Sequence, residues 1–205
     1  MPLLSIDIFP DYQLIVWAMD ESLIELQGLV PEPEFHKIEM NTRLEKRKIE
    51  KLGQYLLLKN MGIAHSEVYY DKNGKPLLSS GKHISFTHSG NLSAMLLSNT
   101  NCGIDLEIQT DKILRIAKKF LNVKEKEMMK EKENVFWAWS IKEVVFKYFG
   151  ERVLFKDHIT ILEINKESKK ALVEYDGFHG KGIFEIKIDR IKNYYLAFTN
   201  SFTSK

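Results

Sequence analysis

The chain has a single cysteine, Cys102. No intrachain disulfide can form and no Cys-rich metal site can be built, which suits a reducing compartment and sets a cytoplasmic expectation. An excess of charge of one sign is also missing. The formal net charge is only +2, so no global nucleic-acid or membrane-surface footprint exists. No apolar run approaches the roughly 20 residues that a membrane helix requires. The N-terminal MPLLSIDIFP lacks a basic segment and is broken by Asp7 and Pro10, so it does not read as a signal peptide. No G-x-x-x-x-G-K-[ST], G-x-G-x-x-G or kinase motif set is present, which disfavours the ordinary nucleotide-triphosphate folds. No G-x-S-x-G elbow appears and Cys102 has no evident His partner, which weakens nucleophilic hydrolase readings. What remains is an ordinary globular composition, 44% apolar and 28% charged over 205 residues, enough for one large domain or two small ones.

The most informative stretch is Val135–Phe149, VFWAWSIKEVVFKYF, ending at Gly150. It contains no Pro or Gly, and it predicts a helix closed by a C-terminal glycine and buried on most sides. Ser140, Glu143 and Lys147 fall at i, i+3 and i+7 and share one side, while Lys142 points elsewhere. A charged stripe on a buried helix must be paired, solvated in a cleft, or placed on a metal or an anion. A Glu–Lys pair on a core helix with one wet edge is the plain reading of the stretch taken alone.

Around it the pattern alternates. Residues 3–9 and 12–18 read as strands, residues 20–30 are ambiguous, and Pro31 and Pro33 mark a loop. A helix with a basic first half (Arg43, Lys46, Arg47, Lys48, Lys51) runs from Asn41 to Met61 and stops at Gly62. That basic face is either solvated or an anion-binding edge. Val68–Tyr70 meets a turn at Asn73-Gly74; short strands follow at His83–Thr87, Leu92–Leu97 and 103–108. Residues 111–133 read as a charged helical region whose Lys124–Lys132 segment is solvated. Strands near 158–164, 170–175, 182–189 and 193–199 close the chain. A weak repeat is visible: helix-then-Gly, a turn-bearing strand pair, and a strand ending in LLSNTN or LAFTNS. It suggests two α+β halves, 1–100 and 101–205, with a site between them.

Asp105 and Glu107 leave the same face of one strand. They are either the solvent face of a half-buried strand or two ligands of a hard cation, Mg²⁺ by preference, since carboxylate oxygens without His or Cys suit it. Glu143 would then be the third carboxylate. His88, in Thr87-His88-Ser89-Gly90, is either structural or a phosphate donor. Lys75, on a turn, is either an ordinary surface lysine or an anion contact. Lys147 lies one turn beyond Glu143, placed to neutralise a phosphate. A metal on three carboxylates with two lysines and a histidine is the equipment for transfer at a phosphate or pyrophosphate.

YDKNGKPLL, ISFTHSG, GIDLE, KKFLNVKE and FWAWSIKEVVFK resemble, in order and spacing, the 4′-phosphopantetheinyl transferases of the surfactin-synthetase-activating type. The family pattern is G-K-P, (S/T)-H-S, G-(I/V)-D-(I/V)-E and W-(S/T)-x-K-E-x-x-x-K, and the resemblance covers about residues 44–160. It implies an α+β fold of two similar halves related by pseudo-two-fold symmetry, with coenzyme A in the cleft. It implies Mg²⁺-dependent transfer of the phosphopantetheine arm of coenzyme A onto a serine of an acyl or peptidyl carrier protein, releasing 3′,5′-ADP. By motif position Asp105, Glu107 and Glu143 hold the metal and Lys147 meets the pyrophosphate. Glu143 or a metal-bound water takes the serine proton, and Lys75, Thr87 and His88 contact coenzyme A. The expected partners are coenzyme A and a carrier protein, with no nucleic acid and no membrane, and the expected state is a monomer.

Three departures stand out. Many relatives carry an Arg before the Leu-Leu of the first long helix, where this chain has Gln54-Tyr55-Leu56-Leu57; Arg47 and Lys48 are the expected substitutes. The G-K-G-L that often follows the last motif lysine is Gly150-Glu151-Arg152-Val153 here. The chain is also somewhat short for its type. These changes favour an alternative, a relative that binds coenzyme A or a carrier protein without transferring; the intact carboxylates and Lys147 oppose it. A metal-dependent phosphatase or nuclease would share the carboxylates, but no basic groove for it is evident.

Overall fold

The computed structural model describes residues 3–205. Two antiparallel sheets lie face to face, each backed by helices on its outer side. In the first half, β1 (Leu3–Ile8) and β2 (Tyr12–Ala18) form a hairpin, followed by α1 (Leu23–Leu29), α2 (Glu32–Asn41) and α3 (Glu45–Asn60). Then come β3 (Val68–Tyr70), β4 (Pro76–Leu78), β5 (His83–Ser89) and β6 (Leu92–Ser98). The second half runs β7 (Ile104–Ile108), α4 (Asp111–Phe120), α5 (Lys132–Phe149), α6 (Phe155–His158), β8 (Ile159–Asn165), β9 (Lys170–Gly177), β10 (Gly180–Ile191) and β11 (Tyr194–Ser204).

The strand orders are β1-β2-β6-β5-β4-β3 and β7-β11-β10-β9-β8. With β1 set aside they coincide: a first strand beside the last, then the remaining strands in reverse, with a helix crossing between first and second. The two halves therefore share a topology and the α+β expectation holds, but the strand pairs that look alike in sequence, β3–β4 and β9–β10, are not equivalent in position, since β9–β10 corresponds to β4–β5.

Period-two patterning makes the layers. In β2, Ile15 and Trp17 enter the core beneath α1–α3, while Tyr12, Leu14, Val16 and Ala18 enter the core between the sheets. In β11, Tyr195 and Ala197 face α5, and Tyr194, Leu196 and Phe198 face the inter-sheet core. Helix α5 buries nine residues, Val135, Phe136, Trp137, Ala138, Ser140, Ile141, Lys142, Val144 and Val145. Each large apolar side chain so buried contributes about 1.5–3 kcal/mol. Gly150 ends the helix in the left-handed region, φ 82°, and returns its N–H to the Phe146 carbonyl at 2.7 Å.

Three expectations are corrected. Pro31 and Pro33 do not mark a loop: they open α2, with Pro31 as its N-cap and Pro33 within its first turn, where a missing N–H costs nothing. The helix expected from Asn41 begins at Glu45, and residues 42–44 separate it from α2. The charged region 111–133 is one short helix, turns and a 3₁₀ turn at Met128–Lys130, and its Glu125 is fully buried. The ambiguous residues 20–30 hold α1, started by a capping box in which Ser22 and Glu25 satisfy each other's main chain.

Candidate active site

The site forms where the second sheet's edge strand meets the first sheet's face. Asp105 and Glu107 pair in register with Ala197 and Tyr195, which face α5, so both carboxylates point to the α5 side. Gly103 starts the strand: a Cβ there would overlap the Val144 carbonyl, so only glycine lets β7 enter this close to α5. From α5, Lys147 Nζ donates to Asp105 Oδ1 at 2.8 Å and to the Ile104 carbonyl at 2.9 Å. Trp139 Nε1 donates to Glu107 Oε1 at 3.2 Å. From β5, Ser89 Oγ donates to Glu107 Oε2 at 2.9 Å.

The electrostatics are those of crowded carboxylates. Burial, then Asp105 and Glu107, push Glu143 up to about 7, against the pull of Lys147. Glu107 is likewise raised, first by burial and then by Asp105, although the Ser89 and Trp139 hydrogen bonds and Lys147 lower it. Asp105 Oδ2 is buried and has no hydrogen-bond partner among the described residues. An orphaned carboxylate oxygen amid like charges, with only oxygen donors, fits a hard divalent cation in chemistry. As they stand, no three His, Cys, Asp or Glu side chains among the described residues are drawn together tightly enough to hold a metal ion.

The basic residues lie along a neighbouring cleft. A pocket of about 300 Å³ is lined by Lys51, Gln54, Tyr70, Lys75, Phe86 and Lys147 among others. A groove of about 800 Å³ carries Arg43, Lys46, Arg47, Lys51, Gln54 and His88. Lys51 and Gln54 line both, so the two run together. Arg47, Lys75, Lys147 and His88 are thus brought to one cleft. Lys48 is not: it reaches away to Glu39 of α2 at 3.1 Å. Lys75 Nζ donates to Asn101 Oδ1 at 2.7 Å and to the Tyr148 carbonyl, and its burial lowers its pKa. His88 Nε2 sits 2.8 Å from Glu50 Oε1. Its pKa is lowered, chiefly by burial and then by Lys147 and Lys46, against the pull of Glu50. Thr87 is buried, and its Oγ1 accepts the Leu106 N–H at 3.0 Å.

Lys51 was visible in the sequence only as one member of a basic run. In the fold its Nζ lies 3.3 Å from Gln54 Oε1 and 5.1 Å from the Tyr70 ring centroid, at the seam of both cavities. Three-residue spacing from Gln54 on a helix was the signal that could have marked it.

A cluster of carboxylates thus lies beside a cleft lined by amines, with Lys147 common to both. Residues 101–199, which contain Asp105, Glu107, Glu143 and Lys147, match the model of the 4′-phosphopantetheinyl transferase superfamily. The match covers just under half of the chain, so residues 101–199 are similar to a domain of that superfamily, and phosphopantetheine transfer in general is the chemistry the match supports. No curated protein matches the chain. No helix among the described residues is long and apolar enough to cross a membrane.

Proposed function

We propose that this chain is a Mg²⁺-dependent transferase of the surfactin-synthetase-activating type, acting as a cytoplasmic monomer of two halves, 1–100 and 101–205. It moves the 4′-phosphopantetheine arm of coenzyme A onto a serine of an acyl or peptidyl carrier protein and releases 3′,5′-ADP. The observation that carries this reading is that Asp105, Glu107 and Glu143 lie near enough to raise the pKa values of Glu107 and Glu143, with Lys147 on Asp105 and at the edge of a basic cleft.

Asp105, Glu107 and Glu143 would hold the cation, which when bound withdraws charge from phosphoryl oxygens. Lys147 neutralises the pyrophosphate as charge develops on the departing oxygen. Lys51, Lys75 and Arg47 line the cleft that takes the rest of coenzyme A. His88 meets a phosphate by exchanging its Glu50 partner for it, and Thr87, which keeps one proton to give while accepting the Leu106 N–H, joins the contact with that proton; Lys48, held by Glu39, contributes by the general field. Glu143, which burial, Asp105 and Glu107 raise to about 7 in the metal-free protein, is the side chain that would accept the serine proton. The serine Oγ forms a bond to the phosphorus bearing the pantetheine arm as that phosphorus parts from the bridging oxygen, which leaves with 3′,5′-ADP.

The test is intact-protein mass spectrometry of an apo carrier protein incubated with this chain, coenzyme A and Mg²⁺. A mass gain of one phosphopantetheine arm that disappears with EDTA is expected. The departures at Gln54-Tyr55-Leu56-Leu57 and Gly150-Glu151-Arg152-Val153 favour a second reading, a relative that binds coenzyme A without transferring. Retained coenzyme A binding with no mass gain across several carrier proteins would select it.

A further inference from the structure

Strand β7 is the edge of its sheet, and an edge strand ordinarily leaves alternate N–H groups without a ladder partner. Here the other sheet supplies partners from its side chains. Ser85, Thr87 and Ser89 alternate along β5, and their hydroxyl oxygens accept the N–H groups of Ile104, Leu106 and Ile108 at 3.2, 3.0 and 3.0 Å. A rung of hydroxyls thus takes the place of a strand-to-strand ladder across the seam between the sheets. A hydroxyl that accepts still has one proton to give. Thr87 lies a long 3.5 Å from Asp105 Oδ1, which Lys147 already holds at 2.8 Å. Ser89 has no such competitor on Oε2 of Glu107, which it meets at 2.9 Å. The other oxygen of Glu107 is held by Trp139 at 3.2 Å. Both carboxylate oxygens are therefore tied to rigid elements, one to β5 and one to α5.

We propose that Ser89 is a positioning residue. Its single hydroxyl fixes the β7 main chain at Ile108 and orients the Glu107 carboxylate, with Trp139 completing the clamp. Ser89 therefore acts through Glu107 and does not contact the ligand's phosphates. The inference rests on the functional reading above in placing Glu107 at the reacting centre. Its physical content is pre-organisation: a carboxylate free to rotate about its last torsions spends only part of its time in the orientation that a cation needs, and outer donors of this kind typically change metal affinity 10–100-fold.

Trp139 supplies a readout that needs neither metal nor turnover. Trp17 Nε1 and Trp137 Nε1 are buried with no hydrogen-bond partner among the described residues, whereas Trp139 Nε1 holds Glu107. Indole N–H resonances of ¹⁵N-labelled full-length protein, with Trp139 assigned through Trp139→Phe, report the clamp directly. In Ser89→Ala the Trp139 resonance shifts while those of Trp17 and Trp137 stay, and Ser89→Thr keeps it near the wild-type position. Half-saturation by Mn²⁺ rises about tenfold in Ser89→Ala and recovers in Ser89→Thr. Turnover falls at unchanged KM for coenzyme A. An unmoved Trp139 resonance in Ser89→Ala overturns the inference, and so does a raised coenzyme A KM at unchanged kcat, which would make Ser89 a phosphate contact. Ser89→Cys, close in size but a weak donor, stands in if the alanine variant does not fold. Failure of the wild type to transfer would sink the functional reading and leave the resonance result to decide the clamp by itself.

Discussion

Lys142 Nζ lies 2.9 Å from Glu125, and neither side chain is exposed to solvent. The ammonium also donates to the main-chain carbonyls of Phe155 at 2.8 Å and Ile159 at 2.9 Å. The carboxylate accepts the N–H groups of Asn122 and Ile161, each at 2.9 Å. One charge pair thus ties the loop after α4, the middle of α5, α6 and the start of β8. It fixes the helix that carries Glu143 and Lys147, one residue and five residues further on. The desolvation of both ions is offset by a complete set of partners. Burial still lowers the Lys142 pKa even with Glu125 against it.

Removing one member of this pair strands the other inside the core. Lys142→Met or Glu125→Gln is expected to cost roughly 3–5 kcal/mol. The double variant Lys142→Met with Glu125→Leu should recover a good part of that loss. Urea unfolding of the four proteins checks it, and single variants as stable as wild type would show the pair to be energetically idle.

Much of the fold could be read from periodicity. Short apolar stretches bounded by turn residues gave β2, β6 and β11, and the uninterrupted apolar run ending at Gly150 gave α5. Asp105, Glu107, Glu143 and Lys147 were legible because strand and helix spacing places them on defined faces. What stayed hidden depends on the third dimension. Glu125 sits in a stretch of mixed charge that looks solvated, and only the approach of α5 buries it against Lys142. Lys48 and Lys51 look alike in a basic run, yet one turns to α2 and the other to the cleft. The structural work of Thr87 and Ser89 stayed hidden in a His-containing turn, because nothing in the sequence shows an edge strand arriving beside them.

Glu107→Gln separates a functional carboxylate from a structural one. Glutamine keeps the shape, accepts from Trp139 with its oxygen and offers its amide toward Ser89, while a charge crowded by Asp105 disappears. Transfer is expected to fall by about 10²-fold or more, because a preorganised charge at the reacting centre is lost. The thermal midpoint without divalent cation should hold or rise. Loss of both together would mark Glu107 as a residue of the fold.

Lys51→Ala tests whether the cleft behind the carboxylates takes coenzyme A. Lys51, with Gln54 beside it, is the cation at the seam of both cavities. Loss of one charge-assisted contact, about 1.5–3 kcal/mol, should raise the KM for coenzyme A by about tenfold or more and leave kcat nearly unchanged. Lys48→Ala should do much less, since its ammonium is committed to Glu39. Equal effects from the two would show that only the overall field of α3 matters.

Glu143 gives the protein a pH signature of its own. Its folded-state pKa, raised to about 7 from an ordinary 4.5 by burial, Asp105 and Glu107, means that the folded protein binds the proton more tightly than the unfolded chain. The contribution to stability is therefore full below pH 4.5 and falls as pH rises to about 7, with little further change above. Discounted for the partial solvation of the side chain, the loss is on the order of 1–2 kcal/mol. Glu107 slopes the same way, whereas Glu34 and Glu133, held down first by Lys37 and Lys166, slope the other way. The difference between wild type and Glu143→Gln isolates the one group. Thermal midpoints measured without divalent cation from pH 5 to 8 should show the variant gaining on wild type as pH rises and levelling off above 7. Added Mg²⁺ should raise the wild-type midpoint more at pH 8 than at pH 5, since cation binding needs the ionised carboxylate. A constant gap between the two proteins across this range would mean that Glu143 ionises as an ordinary surface carboxylate, and with that its role as the base would fall.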